Sequence, residues 1–200
     1  MSSTKTNPGN FFEDYHVGQI LTHATPRTVT AGDVAVYMSL YGPRFAVQSS
    51  DAFARAIGYP QAPLDDLLTF HVVFGKTVPD ISLNAIANLG YASGRFLKAV
   101  YPGDTLSTVS EVIGLKENSN RETGTVYVRS TGRNQHGEIV LEYIRWVMVR
   151  KRDREAPVAE AVVPKLTDRI DPSAIGAAVP ALNRAAWNLD LTGSPHLWGD

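Results

Sequence analysis

The pattern of apolar and polar residues changes its period along the chain, and each period predicts a different kind of element. Residues 18–30 carry β-branched residues in a broken alternation, which predicts a strand interrupted at Pro26. Apolar residues then recur at helical spacing up to residue 77, whereas from residue 85 onward they alternate or run continuously, as in strands. The pattern therefore predicts an α+β protein.

Three helices are predicted before the strand-rich part. The first begins after Thr30 and the second after Ser49 or Ser50, because these residue types cap helix N-termini. The third helix, residues 62–77, has Pro63 at its first position and apolar side chains on every side. A helix that is apolar all round is a buried helix, so we expect a sheet to wrap around it.

Four long strands are predicted after the third helix, separated by turns rich in Gly, Asn and Pro. They span residues 85–100, 105–117, 122–135 and 138–152. Both faces of the last strand are substantially apolar, so the helix would cover one face and a partner is a candidate for the other. A buried helix followed by a long antiparallel meander that curls round it is a hot-dog fold. A four-strand sandwich with a covering helix is the alternative.

The domain organisation follows from a further change in the pattern of apolar and polar residues near residue 153. Residues 1–10 are expected to form a flexible leader and residues 11–153 the hot-dog domain. Residues 154–182 hold four prolines and no sustained period, which is typical of a linker strapped along a surface. Residues 183–200 regain aromatic residues and are interpreted as the start of a second, truncated hot-dog module.

The composition excludes several classes of function. The chain has 200 residues and a net charge of −1, so no overall field favours nucleic acid or anionic lipid. It has no cysteine, which excludes disulfides and thiolate chemistry, and His16, His23 and His196 lack metal-ligand spacing. No apolar run reaches the ~20 residues of a membrane helix, and the polar N-terminus lacks a signal peptide. We therefore expect a cytoplasmic protein without metal, membrane or nucleic-acid partners.

Basic residues crowd at the end of the last predicted strand. Three acidic residues lie among them and offset part of the positive charge, namely Glu142, Asp153 and Glu155. The favoured interpretation is therefore a solvated strand end, and contact with an anionic ligand is the alternative. The basic residues are Arg145, Arg150, Lys151, Arg152 and Arg154.

The segment "RFLKAVYPGDTLS", residues 95–107, predicts a tight turn at Pro102-Gly103-Asp104 between two long strands. It also resembles the signature of MaoC-like hot-dog dehydratases, acyl-CoA hydro-lyases of the (R)-specific enoyl-CoA hydratase type. Ala99 replaces the first proline of that signature. The segment "FEDYHVGQ" is similar to the opening of that family, and the resemblance covers about residues 11–152.

Three longer strings, at residues 6–19, 75–96 and 141–153, resemble the N-terminal half of the mesaconyl-CoA hydratase family, also called β-methylmalyl-CoA dehydratases. Members of that family carry two hot-dog modules in one chain. The resemblance implies reversible hydration of a branched, dicarboxylic enoyl-CoA. The coenzyme A thioester would be the substrate, without a metal or redox cofactor.

Hydration of an enoyl thioester needs a base, an acid and hydrogen-bond donors on the thioester oxygen. In MaoC-like hydratases an Asp and a His before a short helix transfer the protons. The resemblance places Pro43 and Gln48 at those positions, and neither can transfer a proton. Asp65 and Asp66 replace the His-Gly pair that usually opens the buried helix, where a carboxylate would repel an oxyanion. The resemblance therefore implies that a C-terminal module performs the chemistry and that this module shapes the acyl-CoA tunnel.

Several residues of this chain are weaker candidates for a site. His71 lies on the buried helix, where a hydrogen-bonded core histidine is more common than a catalytic one. Asp65 and Asp66 could act as an acid–base pair, although their place at a helix N-terminus already explains them. Arg44 and Arg95 are candidates for contact with a substrate carboxylate or a CoA phosphate.

Two other functions compete with the hydro-lyase. One is a non-catalytic hot dog that binds acyl-CoA or only pairs with a catalytic partner. The other is a hot-dog acyl-CoA thioesterase, for which Asp65 and Asp66 are the candidate carboxylates beside the buried helix. A lone hot dog leaves a sheet edge and an apolar face open, so we expect a second module or a homo-oligomer to cover them.

Overall fold

The structure is a computed structural model that describes residues 8–42, 45–157, 160–167, 169, 171–174 and 181–186. The described strands form a 6-stranded antiparallel sheet in the order β1-β4-β5-β6-β3, with β2 paired to β4. The four helices precede the long strands, and α4 crosses the sheet. The elements are β1 (Ile20–Thr22), β2 (Arg27–Thr28), α1 (Ala31–Tyr41), α2 (Ala46–Ser49), α3 (Asp51–Ile57), α4 (Asp66–Thr77), β3 (Ala85–Phe96), β4 (Thr105–Glu117), β5 (Thr123–Arg133) and β6 (Ile139–Arg150).

The helix boundaries follow from side-chain caps. The Thr30 hydroxyl accepts a hydrogen bond from the Asp33 amide at 3.2 Å, and the Asp33 carboxylate accepts one from the Thr30 amide at 2.9 Å. The Ser50 hydroxyl caps α3 by accepting from the Phe53 amide at 3.2 Å. Both caps confirm the predicted starts, because an oxygen at this position satisfies an otherwise unpaired helix N–H.

Helix α4 starts later than predicted. Pro63 is not its first residue, because the carboxylate of Asp65 caps the helix by accepting from the Leu67 amide at 2.7 Å. The residues before the cap instead contact the segment that follows β3, where the Leu64 amide donates a hydrogen bond to the Val100 carbonyl at 2.8 Å. A π-helical turn, Val78–Ser82, follows the helix and leads into β3.

Only one side of α4 is buried, which corrects the prediction of a helix wrapped on every side. Val72 and Val73 face the sheet, whereas His71 and Gly75 are exposed. The helix sits close on β5, because a Cβ added to Gly132 would lie 2.6 Å from Cγ2 of Val73. The sheet of a single module can cover only the side of the helix that packs on it.

The core consists of two apolar clusters separated by a polar layer. Along β6 the inward positions run from Tyr143 in one cluster, through Arg145, to Val147 in the other. Along β4 the residues between the two clusters include Thr108 and Ser110, both buried. The polar layer therefore crosses the middle of the sheet beneath the end of α4.

The strand β3 lies at one edge of the sheet and is the least covered of the long strands. Several of its large apolar side chains are exposed, namely Ile86, Leu89, Tyr91 and Phe96. Helix α4 packs mainly on β4 and leaves β3 largely open. An exposed apolar edge strand offers unpaired backbone groups to another chain or module.

A residue of the segment predicted to be a linker pairs with the sheet. Val162 and Leu115 of β4 exchange two backbone hydrogen bonds of 2.8 Å. Gly114 permits this approach, since a Cβ there would lie 2.5 Å from the Val162 carbonyl oxygen. Most of the predicted leader and residues 187–200 of the predicted second module lie outside the described residues.

Candidate functional site

The position expected for the catalytic histidine holds Gln48, at the half-buried end of α2. Together with Tyr37, Asp65 and Leu68 it lines a small pocket at the N-terminus of α4. The Gln48 Oε1 atom is buried and has no hydrogen-bond partner among the described residues. The other dyad position, Pro43, lies outside the described residues, as does the candidate Arg44. The pocket holds an amide and a carboxylate but lacks a histidine.

Asp65 and Asp66 stand at the start of α4, as predicted, but in different surroundings. The Asp65 carboxylate already accepts the Leu67 amide, one of the N–H groups that could otherwise bind an oxyanion. Loss of hydration around its carboxyl, together with the charge of Asp65, raises the pKa of Asp66, although the residue as a whole is exposed. This helix end is therefore electrostatically unsuited to hold a thioester oxyanion.

His71 does not lie in the core, so the interpretation as a buried, satisfied histidine is wrong. It lies on the outward side of α4, with its ring centroid 6.2 Å from that of Tyr37 and 5.9 Å from that of Phe70. The His71 side chain is exposed there, because the described residues leave this side of the helix largely uncovered. His71 is therefore available to whatever packs against α4.

Arg95 and the basic run also differ from expectation. Arg95 is exposed on β3 and donates to Glu142 across the β3–β6 pair at 2.9 Å. The interpretation of the run as a solvated strand end is wrong for Arg145, which is 0% exposed, and for Lys151, which is buried. Lys151 is paired with Glu117 at 2.7 Å. In the part of the chain that the structure describes, Arg145 has hydroxyls and no carboxylate as its hydrogen-bond partners.

The polar layer contains a chain of hydrogen bonds that the sequence did not reveal. The two ring nitrogens of His23 contact Asp80 Oδ2 at 2.7 Å and Ser110 Oγ at 2.8 Å. Ser110 in turn is bonded to Ser130 at 2.7 Å. Burial lowers the pKa of His23, and the hydrogen bond to Asp80 only partly opposes that effect.

The order of Ser110, His23 and Asp80 is that of a nucleophilic triad, but the geometry excludes that role. Ser110 is fully buried and its hydroxyl is held by Ser130, so a thioester carbonyl has no access to it. His23 is 4% exposed. The chain of bonds satisfies buried polar groups and fixes the layer in one arrangement.

Arg145 occupies the centre of the polar layer. Its Nη2 donates to Thr77 Oγ1 and to Ser82 Oγ, each at 2.9 Å. Its Cζ lies 4.6 Å from the centroid of the Phe74 ring, and burial lowers the pKa of its guanidinium. Its Nε and Nη1 are buried without a partner among the described residues.

A sequence signal for Arg145 did exist. It stands two residues from Tyr143 and from Val147, and a period of two places all three on the inward, mainly apolar face of the strand. A charge on the inward face of a core strand indicates a special site. No comparable pattern marks His23 or Asp80, which are separated by 57 residues and meet only in the fold.

Two further properties concern the part of the chain that the structure describes. Within those residues, no three His, Asp or Glu side chains gather in a way that could hold a metal ion. None of the helices formed there has the length and apolar character needed to cross a membrane.

Comparisons with known proteins agree with this architecture. The sequence model of the mesaconyl-CoA hydratase family matches residues 2–178. The chain is 62% identical to a β-methylmalyl-CoA dehydratase from Chloroflexus aurantiacus, over 99% of this chain and 56% of the relative. The crystal structure of a MaoC domain protein dehydratase from the same organism is 61% identical and superposes with a TM-score of 0.90, over 96% of this chain and 55% of that chain.

A more distant solved structure carries two modules. A conserved Mycobacterium tuberculosis protein described as a double hot-dog fold is 28% identical, with a TM-score of 0.67, over 92% of this chain and 56% of that chain. The chain thus spans about half the length of the relatives it matches. The hot-dog fold predicted from the sequence is confirmed, and the chain belongs to the mesaconyl-CoA hydratase family.

Proposed function

We propose that this chain is one module of a hydro-lyase that reversibly adds water to mesaconyl-CoA to form β-methylmalyl-CoA. The observation that carries the proposal is the family match over residues 2–178, with 62% identity to a relative named for this reaction. The substrate is a coenzyme A thioester, and we propose that no metal or redox cofactor takes part.

The module contributes the acyl-CoA tunnel and leaves proton transfer to a second hot-dog module. Gln48 stands where a histidine would be needed, and an amide cannot act as a base at neutral pH. Asp65 places negative charge where the thioester oxygen becomes negative during the reaction. Both features disfavour catalysis within this module alone.

The second module docks on the exposed edge strand β3 and on the outward side of α4. Exposed apolar side chains follow β3, including Leu89 at 42% and Tyr91 at 47%. His71 lies on the outward side of the neighbouring helix. A second module or a second copy of the chain would bury these groups and extend the sheet.

A fusion protein tests the division of labour. This chain is joined to the part of the Chloroflexus aurantiacus dehydratase that it does not match, and the fusion is compared with the 200-residue chain alone. Loss of absorbance from the conjugated double bond of mesaconyl-CoA reports hydration, and a thiol reagent reports release of free CoA. We expect hydration by the fusion, none by the chain alone, and negligible thiol release by either protein.

The other outcomes separate the competing functions. Hydration by the chain alone at a rate close to that of the fusion would contradict the division of labour. Thiol release without hydration would favour a thioesterase, with Asp66 as its candidate carboxylate. If both proteins bind the thioester and neither turns it over, the result would favour a non-catalytic acyl-CoA-binding function.

A further inference from the structure

Among the described residues, the buried guanidinium of Arg145 has no carboxylate as a hydrogen-bond partner. Its side chain is 0% exposed, and its hydrogen-bond acceptors are the neutral hydroxyls of Thr77 and Ser82. Asp80 is the carboxylate of the polar layer, and its Oδ2 is bonded to His23. A buried cation without an anionic partner is strongly disfavoured, and such charges are normally paired.

Donor groups around this charge are also unused. Nε and Nη1 of Arg145 are buried without partners among the described residues. The hydroxyl of Tyr143, two residues earlier on the same strand face, is likewise buried, and this burial raises its pKa although Ser130 and Thr77 lie nearby. Its oxygen has no hydrogen-bond partner among the described residues. A carboxylate would accept from both residues and neutralise the charge.

The charge lies one strand away from the open edge of the sheet. Arg145 on β6 is the direct partner of Tyr91 on β3, and Tyr91 is 47% exposed. The Phe74 ring lies 4.6 Å from the guanidinium and 6.4 Å from the ring of the exposed Tyr91. Phe74 belongs to the side of α4 that faces β3, where the helix covers the sheet least. A ligand can therefore approach from the edge if the Phe74 ring turns aside.

We propose that Arg145, with Tyr143, binds the free carboxylate of the dicarboxylic acyl-CoA substrate and thereby selects it over neutral enoyl-CoA thioesters. This inference rests on the proposed function. The apolar part of the acyl group lies on the rings of Phe70, Phe74 and Tyr91, and the carboxylate replaces the Phe74 ring at the guanidinium. Arg145 is thus a specificity residue, and the sequence-based candidate Arg95 is not, because Glu142 already neutralises it.

The test compares two substrates that differ only in the charged group. Mesaconyl-CoA carries the carboxylate, and tiglyl-CoA carries a methyl group in its place. In the fusion protein, Arg145→Met should lower kcat/KM for mesaconyl-CoA by about 10- to 100-fold, the usual effect of removing a hydrogen bond to a charged group. The value for tiglyl-CoA should change by less than about 3-fold, because that substrate makes no ionic contact.

Two further variants keep the result interpretable. Arg129→Met removes an exposed arginine that pairs with Glu111 on β4, and it should leave the selectivity between the two thioesters unchanged. Tyr143→Phe removes only the unpaired hydroxyl and should lower selectivity for mesaconyl-CoA several-fold without unfolding the module. If Arg145→Met does not fold, the Tyr143→Phe result decides.

The outcomes separate this inference from the proposed function. Equal losses for both thioesters in Arg145→Met, or unchanged selectivity in both Arg145→Met and Tyr143→Phe, would overturn the carboxylate site while leaving the hydro-lyase intact. A wild-type fusion that hydrates neither thioester would overturn the proposed function. In that case equilibrium binding tests the carboxylate site. A wild-type preference for mesaconyl-CoA over tiglyl-CoA that the variants lose would support the site, and equal affinities of the wild type for the two thioesters would overturn it.

Discussion

Tyr91 and Arg145 face each other directly across the β3–β6 pair, yet Tyr91 is 47% exposed and Arg145 is 0% exposed. Directly opposed residues share one face of a sheet, so the difference arises from what covers that face and not from strand register. Phe74 of α4 lies over Arg145, whereas the helix packs mainly on β4 and meets Tyr91 through the rings of Phe70 and Phe74 alone among its aromatic side chains. A buried cation and an open aromatic surface thus lie side by side at the edge of the module.

The buried charge of Arg145 has a consequence for stability. Replacement of a buried charge by an apolar side chain of similar length is often neutral or stabilising, so Arg145→Met should unfold at the same or higher denaturant concentration than the wild type. Arg145→Ala should lose about 3 kcal/mol, because it leaves a cavity and removes the donor that bonds to the hydroxyls of Thr77 and Ser82. Urea unfolding measures both. A loss above about 2 kcal/mol in Arg145→Met would show that the guanidinium is well compensated within the module.

His23 should make stability depend on pH. Its folded pKa lies below the ordinary value of 6.5, so below that pH the unfolded chain binds more protons than the folded one. Its contribution to the free energy of unfolding is therefore complete above about pH 6.5 and is lost as the pH falls from there through the folded pKa. Unfolding in urea between about pH 7.5 and pH 5 measures the slope.

The variant His23→Gln isolates this contribution, because an amide does not titrate in that range. We expect a flatter dependence on pH than in the wild type, whatever the absolute stability of the variant. His136→Gln, in an exposed turn, is the matched control. The raised pKa of Asp66 acts with the opposite sign in a more acidic range and is common to all three proteins. An equal slope in wild type and His23→Gln would contradict the assignment.

The approach of α4 to the sheet depends on Gly132. A Cβ at this position would lie 2.6 Å from Cγ2 of Val73, a buried and conformationally stiff side chain. Gly132→Ala should therefore lower the free energy of unfolding by about 1–3 kcal/mol, as other overpacked cores do. Gly94→Ala on β3 is the control, because nothing lies within 4 Å of the added Cβ. A thermal or urea melt that ranks the two variants equally would refute the close contact.

The exposed edge strand should drive association of the 200-residue chain. We expect light scattering to show dimers or larger species for the wild type. Lysines at Ile86 and Leu89, which are 51% and 42% exposed, should shift it towards monomer, since charges on an edge strand oppose pairing. Val163→Lys, at a residue that is 55% exposed but lies outside the strands, should not. A wild type that remains monomeric at high concentration would contradict the open-edge interpretation.

Much of this fold could be predicted from local signals. The caps at Thr30 and Ser50 and the turn at Pro102-Gly103-Asp104 follow from residue types whose conformational preferences hold in any context. The alternation of apolar residues was sufficient to predict four strands, and their order after a helix was sufficient to predict the hot dog. The sequence predicts too early a start for α4, because Pro63 suits a first helical position, whereas the Asp65 side chain supplies the actual cap.

The candidate site could be predicted from local sequence signals to a much smaller extent than the fold. The alternation of residues along β6 indicates which face of the sheet a side chain occupies, but it does not indicate what covers that face. The sequence therefore predicts Arg145 at a solvated strand end, whereas the structure buries it. Apolar content likewise predicted that α4 is buried, but the sheet has only enough width to cover one side, and His71 is exposed on the other.

The sequence by itself determined the starts of α1 and α3, the four long strands and the family, because these are properties of single residues and their near neighbours. Only the tertiary structure decided that His23 meets Asp80 across 57 residues and that Arg145 is enclosed beneath Phe74, with hydroxyls as its hydrogen-bond partners among the described residues. Burial of a polar group is a property of everything packed around it. The electrostatics of the polar layer therefore exist only once α4 and the π-helical turn close over the sheet.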